Sequence, residues 1–159
     1  GFNGIPTTGT VPPVMIGGGS KRVLGIAGRE ADIVSINFNN SAGKIGAEGV
    51  GSGTNSGTLQ KIQWIKDGAG GRFQDLEIEI AAYFTVVTDH VDAVCGEFAK
   101  LFDLSADEIQ NHPHCLIGPV DHIIESIRQR REEYGINYIT FGGAVMDDVA
   151  PVVEALAGS

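Results

Sequence analysis

One stretch near the amino end constrains the fold more than any other: residues 12–22 read PPVMIGGGSKR. An apolar run leads into the glycines and a helical pattern follows them, so the sequence predicts a strand, a tight turn and a helix. Gly17, Gly18 and Gly19 at such a junction allow a positive φ and a close approach of a ligand to the main chain. The free N–H groups of the first helical turn attract an anion.

Charged and polar residues follow these glycines directly. Lys21 and Arg22 fall in the first helical turn, where the helix dipole disfavours positive charge, so they indicate a negative partner from outside the helix. Ser20 stands at the position of a helix cap. The sequence therefore predicts a phosphate or other anion here. The alternative is that the glycines only make a close turn and that the two cations are solvated.

The composition limits the partners of such a site. The chain has 159 residues, with 42% hydrophobic and 19% charged, which suits one globular domain. Its net charge of −9 argues against nucleic acid and anionic membranes as partners. The sequence contains no apolar run of 18 residues and no basic-then-apolar leader, so we expect no membrane segment and a cytoplasmic location.

No metal or thiol chemistry is indicated. Cys95 and Cys115 lack metal-type spacing and a CxxC motif, so we expect buried free thiols. His112 and His114 flank a proline without further ligands nearby, so no metal site is predicted. No residue qualifies as a general acid or base, and the catalytic residues are unknown.

Four apolar segments predict strands, at about residues 13–16, 32–38, 76–88 and 136–141. Each precedes a helical pattern, which predicts an α/β fold with a parallel sheet. Right-handed connections leave an open doubly wound sheet or part of a (β/α)8 barrel. Asn37 falls at the carboxyl end of the second strand, where such folds bind ligands. Glu77 and Glu79 fall in the first half of the third strand, so we expect solvated charges.

Residues 39–57 are rich in glycine and too long for an ordinary connection. They predict a flexible lid within a single domain of residues 1–159, with a linker between two domains as the alternative. Thr58 would then cap a helix that places Lys61 on its exposed face. In the clearest helix, after Pro119, the spacing places Arg131 on the buried stripe and Arg130 on the exposed face.

Neither nucleotide motif is present, because Arg22 stands where a GxGxxG fingerprint needs its third glycine and no P-loop occurs. Five segments instead carry a resemblance: PPVMIGGG at 12–19, AGREADIV at 27–34, KIQWI at 61–65, RREEYGINYIT at 130–140 and APVVEALAG at 150–158. Together they resemble the carboxyl-terminal part of the luciferase-like monooxygenases, and most closely the branch that is expected to use coenzyme F420 instead of FMN.

This resemblance implies the last four βα units of a (β/α)8 TIM barrel, which needs about 250 residues in all. It implies an F420- or FMN-dependent oxidoreductase acting on a small molecule, with most of the ring pocket in an amino-terminal half. Gly17, Gly18 and Gly19 match the family's turn after the fifth strand, which is similar in role to a cradle for a phosphate or cofactor tail. Ser20, Lys21 and Arg22 are expected to contact the cofactor from their position beside this turn, and Asn37 from its place at the end of the second strand.

A half-barrel would leave two edge strands and an apolar inner face open. We therefore expect association with a second copy or with the amino-terminal half. Two other functions stay open: a half-barrel that binds a phosphorylated ligand without catalysis, and an assembly module.

Overall fold

The computed structural model describes residues 9–40, 43 and 45–158. The strands are β1 (Met15–Gly18), β2 (Ile33–Ile36), β3 (Glu77–Ala82), β4 (Phe84–Val87), β5 (Cys115–Gly118) and β6 (Tyr138–Phe141). The helices are α1 (Lys21–Glu30), α2 (Ala47–Gly51), α3 (Asn55–Ala69), α4 (Val91–Phe102), α5 (Ala106–Gln110), α6 (Val120–Tyr134) and α7 (Met146–Leu156). Short 3-10 turns lie at Gly70–Asp75 and Gly143–Val145.

A four-stranded parallel sheet is the centre of the fold. Its strands lie in the order β1, β2, β3, β6, which is also their order in the chain. The register aligns Gly17 with Ser35, Ser35 with Glu79, and Glu79 with Tyr138. The predicted α/β architecture with parallel strands is confirmed, and the carboxyl ends of these strands form one edge.

The predicted third strand, residues 76–88, is in fact two strands. The N–H of Tyr83 donates to the carbonyl of Ala81 at 3.0 Å, and this tight turn ends β3. After it, β4 leaves the main sheet and pairs in parallel with β5. The sequence hides the break because the apolar run continues through the bend, and β5 was not predicted from the sequence.

One face of the main sheet is apolar and covered by helices. Val34, Ile36, Ile78 and Ile80 pack there in one buried cluster with residues of α1, α3 and α6. Burial of such branched side chains is the main favourable term in folding, at about 1.5–3 kcal/mol each. This face fixes the sheet on its helices and leaves the other face for polar groups.

The opposite face differs from the expected apolar surface. Alternation along the strands puts Ser35, Asn37, Glu79 and Thr140 on it, together with Tyr138, which is 40% exposed. Glu79 is only 3% exposed, so the prediction of a solvated charge is wrong for it. Glu79 is shielded from solvent because Ser35 of β2 and Tyr138 of β6 flank it on the two neighbouring strands. Glu77 is exposed as predicted.

The segment of residues 39–57 is more structured than its glycines predicted, although residues 41, 42 and 44 lie outside the described residues. It contains α2, and Val50 in that helix is fully buried in a cluster with Phe38. The next helix begins at Asn55, and Thr58 lies inside it, donating to the carbonyl of Gly53 at 3.1 Å. Mobility of this segment stays a prediction.

Helix α6 reverses the predicted sides of its two arginines. Arg130 is buried and Arg131 is exposed. Burial is possible because the Arg130 guanidinium donates to two main-chain carbonyls, those of His112 at 3.2 Å and of Cys115. The helix ends as predicted, with Gly135 at φ 74°.

Candidate functional site

The glycine segment, Gly17, Gly18 and Gly19, lies at the carboxyl edge of the main sheet. Gly17 and Gly18 belong to β1, and only Gly19 lies in the connection to α1. None of the three has a positive φ, so that reason for glycine does not apply here. The segment is nevertheless at the edge where parallel α/β folds bind their ligands.

Close packing explains why side chains are absent from this segment. A Cβ on Gly18 would overlap Val23 of α1, and a Cβ on Gly19 would overlap the carbonyl of Phe38. A Cβ on Gly17 would lie 2.9 Å from Nδ2 of Asn37. The glycines therefore allow β1 to pack closely against α1 and the end of β2. This agrees with the alternative stated for the sequence, that the glycines serve a close turn. Whether a ligand also approaches them is a separate question.

The first turn of α1 has the electrostatics of an anion site. Ser20 is the N-cap residue, yet its side chain makes no capping hydrogen bond. The first turn holds no acidic residue, and Lys21 and Arg22 are exposed. The ion pairs in the described part of the chain, Arg29–Glu30 and Arg128–Glu125, involve neither cation. An anion here would meet free N–H groups and two uncompensated charges.

Asn37 joins the ends of three elements. Its N–H donates to the carbonyl of Gly18 at 2.9 Å, and its Nδ2 donates to Oγ of Ser35 at 3.2 Å. The hydroxyl of Tyr83 donates to its Oδ1 at 2.6 Å. Burial, and then the charge of Glu79, raise the pKa of Tyr83, so its hydroxyl stays a donor. Asn37 is thus beside the glycine segment as predicted, but its polar groups are used within the chain.

Lys61 of α3 is a site residue that the sequence prediction placed on the wrong side. It is 2% exposed, and its Nζ donates to the carbonyl of Asn37 at 2.8 Å. Burial lowers its pKa to about 8. The sequence did contain a signal for the burial of Lys61, because the buried residues of α3 recur with helical spacing: Thr58, Lys61, Ile62, Ile65 and Ala69. Leu59, although apolar, is 43% exposed.

Two buried histidines lie behind this network. Nε2 of His112 donates to the carbonyl of Val50 at 3.0 Å, and its Nδ1 accepts the N–H of His114 at 3.1 Å. Nδ1 of His114 donates to the carbonyl of Ala81 at 2.8 Å. Burial lowers the pKa to about 4 for His112 and to about 3 for His114, so both rings are neutral.

Aromatic rings enclose His114. Its ring centroid is 4.3 Å from that of Phe38 and 5.5 Å from that of Tyr83, which lies nearly parallel to it. Nε2 of His114 and Nη1 of Arg130 are buried without a hydrogen-bond partner in the described part of the chain. No group of three or more His, Cys, Asp or Glu residues there could hold a metal ion. Cys95 and Cys115 are buried free thiols, as predicted.

No helix among the described residues combines the length and the apolar character needed to cross a membrane. The chemistry-bearing groups instead collect at the carboxyl edge of the sheet. This edge and the parallel βα order, with the strands of the main sheet in chain order, define an α/β chain.

Comparison with known proteins places the fold more closely. No protein-family model and no curated protein matches the sequence. Among solved structures, the coenzyme F420-dependent tetrahydromethanopterin reductase from Methanopyrus kandleri is similar, with a TM-score of 0.60 and 12% identity over 91% of this chain and 49% of that one. The long-chain alkane monooxygenase LadA gives a TM-score of 0.56 and 14% identity over 91% and 41%.

An F420-dependent secondary alcohol dehydrogenase, solved with an F420-acetone adduct, gives a TM-score of 0.54 and 14% identity over 91% and 49%. All three neighbours are luciferase-like proteins, so the likeness seen in the sequence is confirmed at the level of the fold. The fold class is that of part of their TIM barrel. The chain spans about half the length of the structures that it matches.

Proposed function

We propose that this chain is the carboxyl-terminal part of a luciferase-like oxidoreductase that uses coenzyme F420, with FMN as the alternative. The glycine segment, with Ser20, Lys21 and Arg22, would hold a phosphate of the cofactor. Two of the three structural neighbours are described as F420-dependent, and the third is a monooxygenase. The substrate would be a small molecule, as in proteins of that fold.

One observation carries the assignment of the site: two exposed cations begin a helix whose cap makes no side-chain hydrogen bond. In a chain of net charge −9, uncompensated cations at a helix N-terminus are an unusual local concentration of positive potential. A phosphate accepts hydrogen bonds from free N–H groups and is stabilised by the helix dipole. F420 and FMN both carry phosphate, so the residues present fit either cofactor.

The cofactor would supply the redox chemistry, and the protein would supply binding and orientation. In this chain the glycine segment and Ser20 bind, while Asn37 fixes the end of β2 beside them. The polar face of the sheet, with Ser35, Glu79 and Thr140, would line the interior next to the bound cofactor.

Fluorescence titration with F420 and FMN tests this function, with the double variant Lys21→Ala, Arg22→Ala beside the parent. Loss of two charged contacts should weaken binding about tenfold or more. Arg29→Ala is the matched control, because Arg29 is an exposed cation at the other end of the same helix. Absence of binding by the parent, or equal affinity in parent and double variant, would contradict the proposed site.

A further inference from the structure

Lys61 is an ammonium group buried without a carboxylate. It is 2% exposed, and the ion pairs of the described residues do not include it. Burial of a charged group costs free energy unless hydrogen bonds compensate for the lost water. The hydrogen bond of its ammonium group must therefore account for a lysine at this position.

Within the described residues, the Nζ of Lys61 donates to the carbonyl of Asn37, at 2.8 Å. This carbonyl belongs to the peptide group that joins Asn37 to Phe38. Helix α3 thereby holds the chain at the point where it leaves β2, on the carboxyl edge of the sheet.

Residues 37 and 38 in turn set the path of the glycine segment. The N–H of Asn37 donates to Gly18, and its Nδ2 lies in the space beside Gly17 where a side chain would begin. The carbonyl of Phe38 fills the corresponding space beside Gly19. A shift of this peptide would move the main chain of all three glycines, because no side chain separates the two segments.

Tyr83 holds the same residue from the other side. Its hydroxyl donates to Oδ1 of Asn37 at 2.6 Å, while its ring is 43% exposed. Lys61 fixes the main chain of Asn37 and Tyr83 fixes its side chain. Two independent contacts thus converge on one residue beside the candidate phosphate site.

We infer that Lys61 is a positioning residue for the phosphate site: through the carbonyl of Asn37 it fixes the glycine segment in the conformation that receives the cofactor. This role rests on the proposed function. Lys61 does not itself touch the cofactor, and Tyr83 supports the same geometry through the amide of Asn37.

The test measures FMN and F420 affinity and thermal unfolding on the same preparations of Lys61→Met, Lys61→Arg and Tyr83→Phe. Methionine keeps the apolar stem but removes the donor, so affinity should fall about tenfold, the effect of losing one hydrogen bond from a charged group. Arginine keeps a charged donor and should restore part of that affinity. Lys66→Met is the matched control, because Lys66 is an exposed lysine of the same helix.

Tyr83→Phe keeps the ring and removes only the hydroxyl, so it should weaken binding while the protein stays folded. It also tests the same geometry if Lys61→Met does not fold. If the parent binds a cofactor and neither Lys61→Met nor Tyr83→Phe changes the affinity, the positioning role of Lys61 is overturned while the proposed function stands. Equal loss in Lys61→Met and Lys61→Arg does the same. A parent that binds neither cofactor overturns the proposed function and this role with it.

Discussion

The burial of several polar residues in this chain is explained by the groups that they contact more than by their residue type. Lys61 and Arg130 are cations in the interior because main-chain carbonyls accept their hydrogen bonds. His112 and His114 are fully buried because each ring donates to a carbonyl, and burial lowers the pKa of both rings so that they stay neutral. Hydropathy alone places such side chains on the surface, which is why the sequence prediction missed both cations.

The buried histidines predict a loss of stability in acid. In the unfolded chain both groups have the ordinary pKa of about 6.5, while in the folded protein the pKa is about 4 for His112 and about 3 for His114. Between pH 6.5 and 4 the unfolded chain binds more protons, so the free energy of unfolding falls as pH falls. Each histidine contributes a slope of about 1.4 kcal/mol per pH unit in this window.

Urea unfolding from pH 7 to pH 4 measures this slope. His112→Gln should make it shallower, although that variant also loses hydrogen bonds and is less stable overall. His122→Gln is the control, because it makes the same substitution at an exposed position. Identical slopes in the parent and in His112→Gln would show that His112 is not held neutral in the folded state.

At the scale of elements, the sequence predicted what periodicity and end signals encode. The parallel βα order and α1 were predicted and are present. The break at Tyr83 was not, because a single main-chain turn leaves no trace in hydropathy. Short α2 was missed since its five residues include two glycines.

The glycines of α1 lie against α3. A Cβ on Gly28 would lie 2.5 Å from the carbonyl oxygen of Ile65, and one on Gly68 would overlap the main chain of Gly25. These contacts are with backbone, so side-chain rotation cannot relieve them. The two helices are close because glycines, and not larger residues, line their contact.

Alanine at these positions should separate packing from helix propensity. Gly28→Ala and Gly68→Ala should lower the free energy of unfolding by about 1–3 kcal/mol, the usual cost of overpacking. Gly25→Ala should raise it by about 0.5–1 kcal/mol, since its Cβ would meet nothing within 4 Å and alanine is the better helix former. Denaturant unfolding gives all three values. A stabilising Gly68→Ala would contradict the close approach of α1 and α3.

At the scale of the whole molecule, the described sheet ends in two outer strands. Strands β1 and β6 are the outer strands of the described sheet, and Met15 and Tyr138 on them are 44% and 40% exposed. Open edges of this kind favour pairing with another strand. We therefore propose association with a second copy or with an amino-terminal half. The face of the sheet opposite the helices should contribute less to association than expected, because it is polar and not apolar.

Sedimentation equilibrium at micromolar concentration tests association. We expect a species larger than one chain, or a defined complex once a polypeptide carrying the other barrel strands is added. A well-folded monomer that does not respond to such a polypeptide would contradict the use of these edges. A charge introduced at the edge, by Met15→Lys, should reduce association without disturbing the helical core, because Met15 lies outside the buried cluster.

We propose above all that the carboxyl edge of the sheet binds the cofactor's phosphate. Amide chemical shifts measured by NMR during an F420 or FMN titration test this proposal most directly. The largest shifts should fall on Gly17, Gly18, Gly19, Ser20 and Asn37, with smaller ones on Lys21 and Arg22. Amides near the far end of α1, such as Glu30, should not move. Saturable binding whose shifts fall elsewhere, with the glycine segment unchanged, would contradict the account.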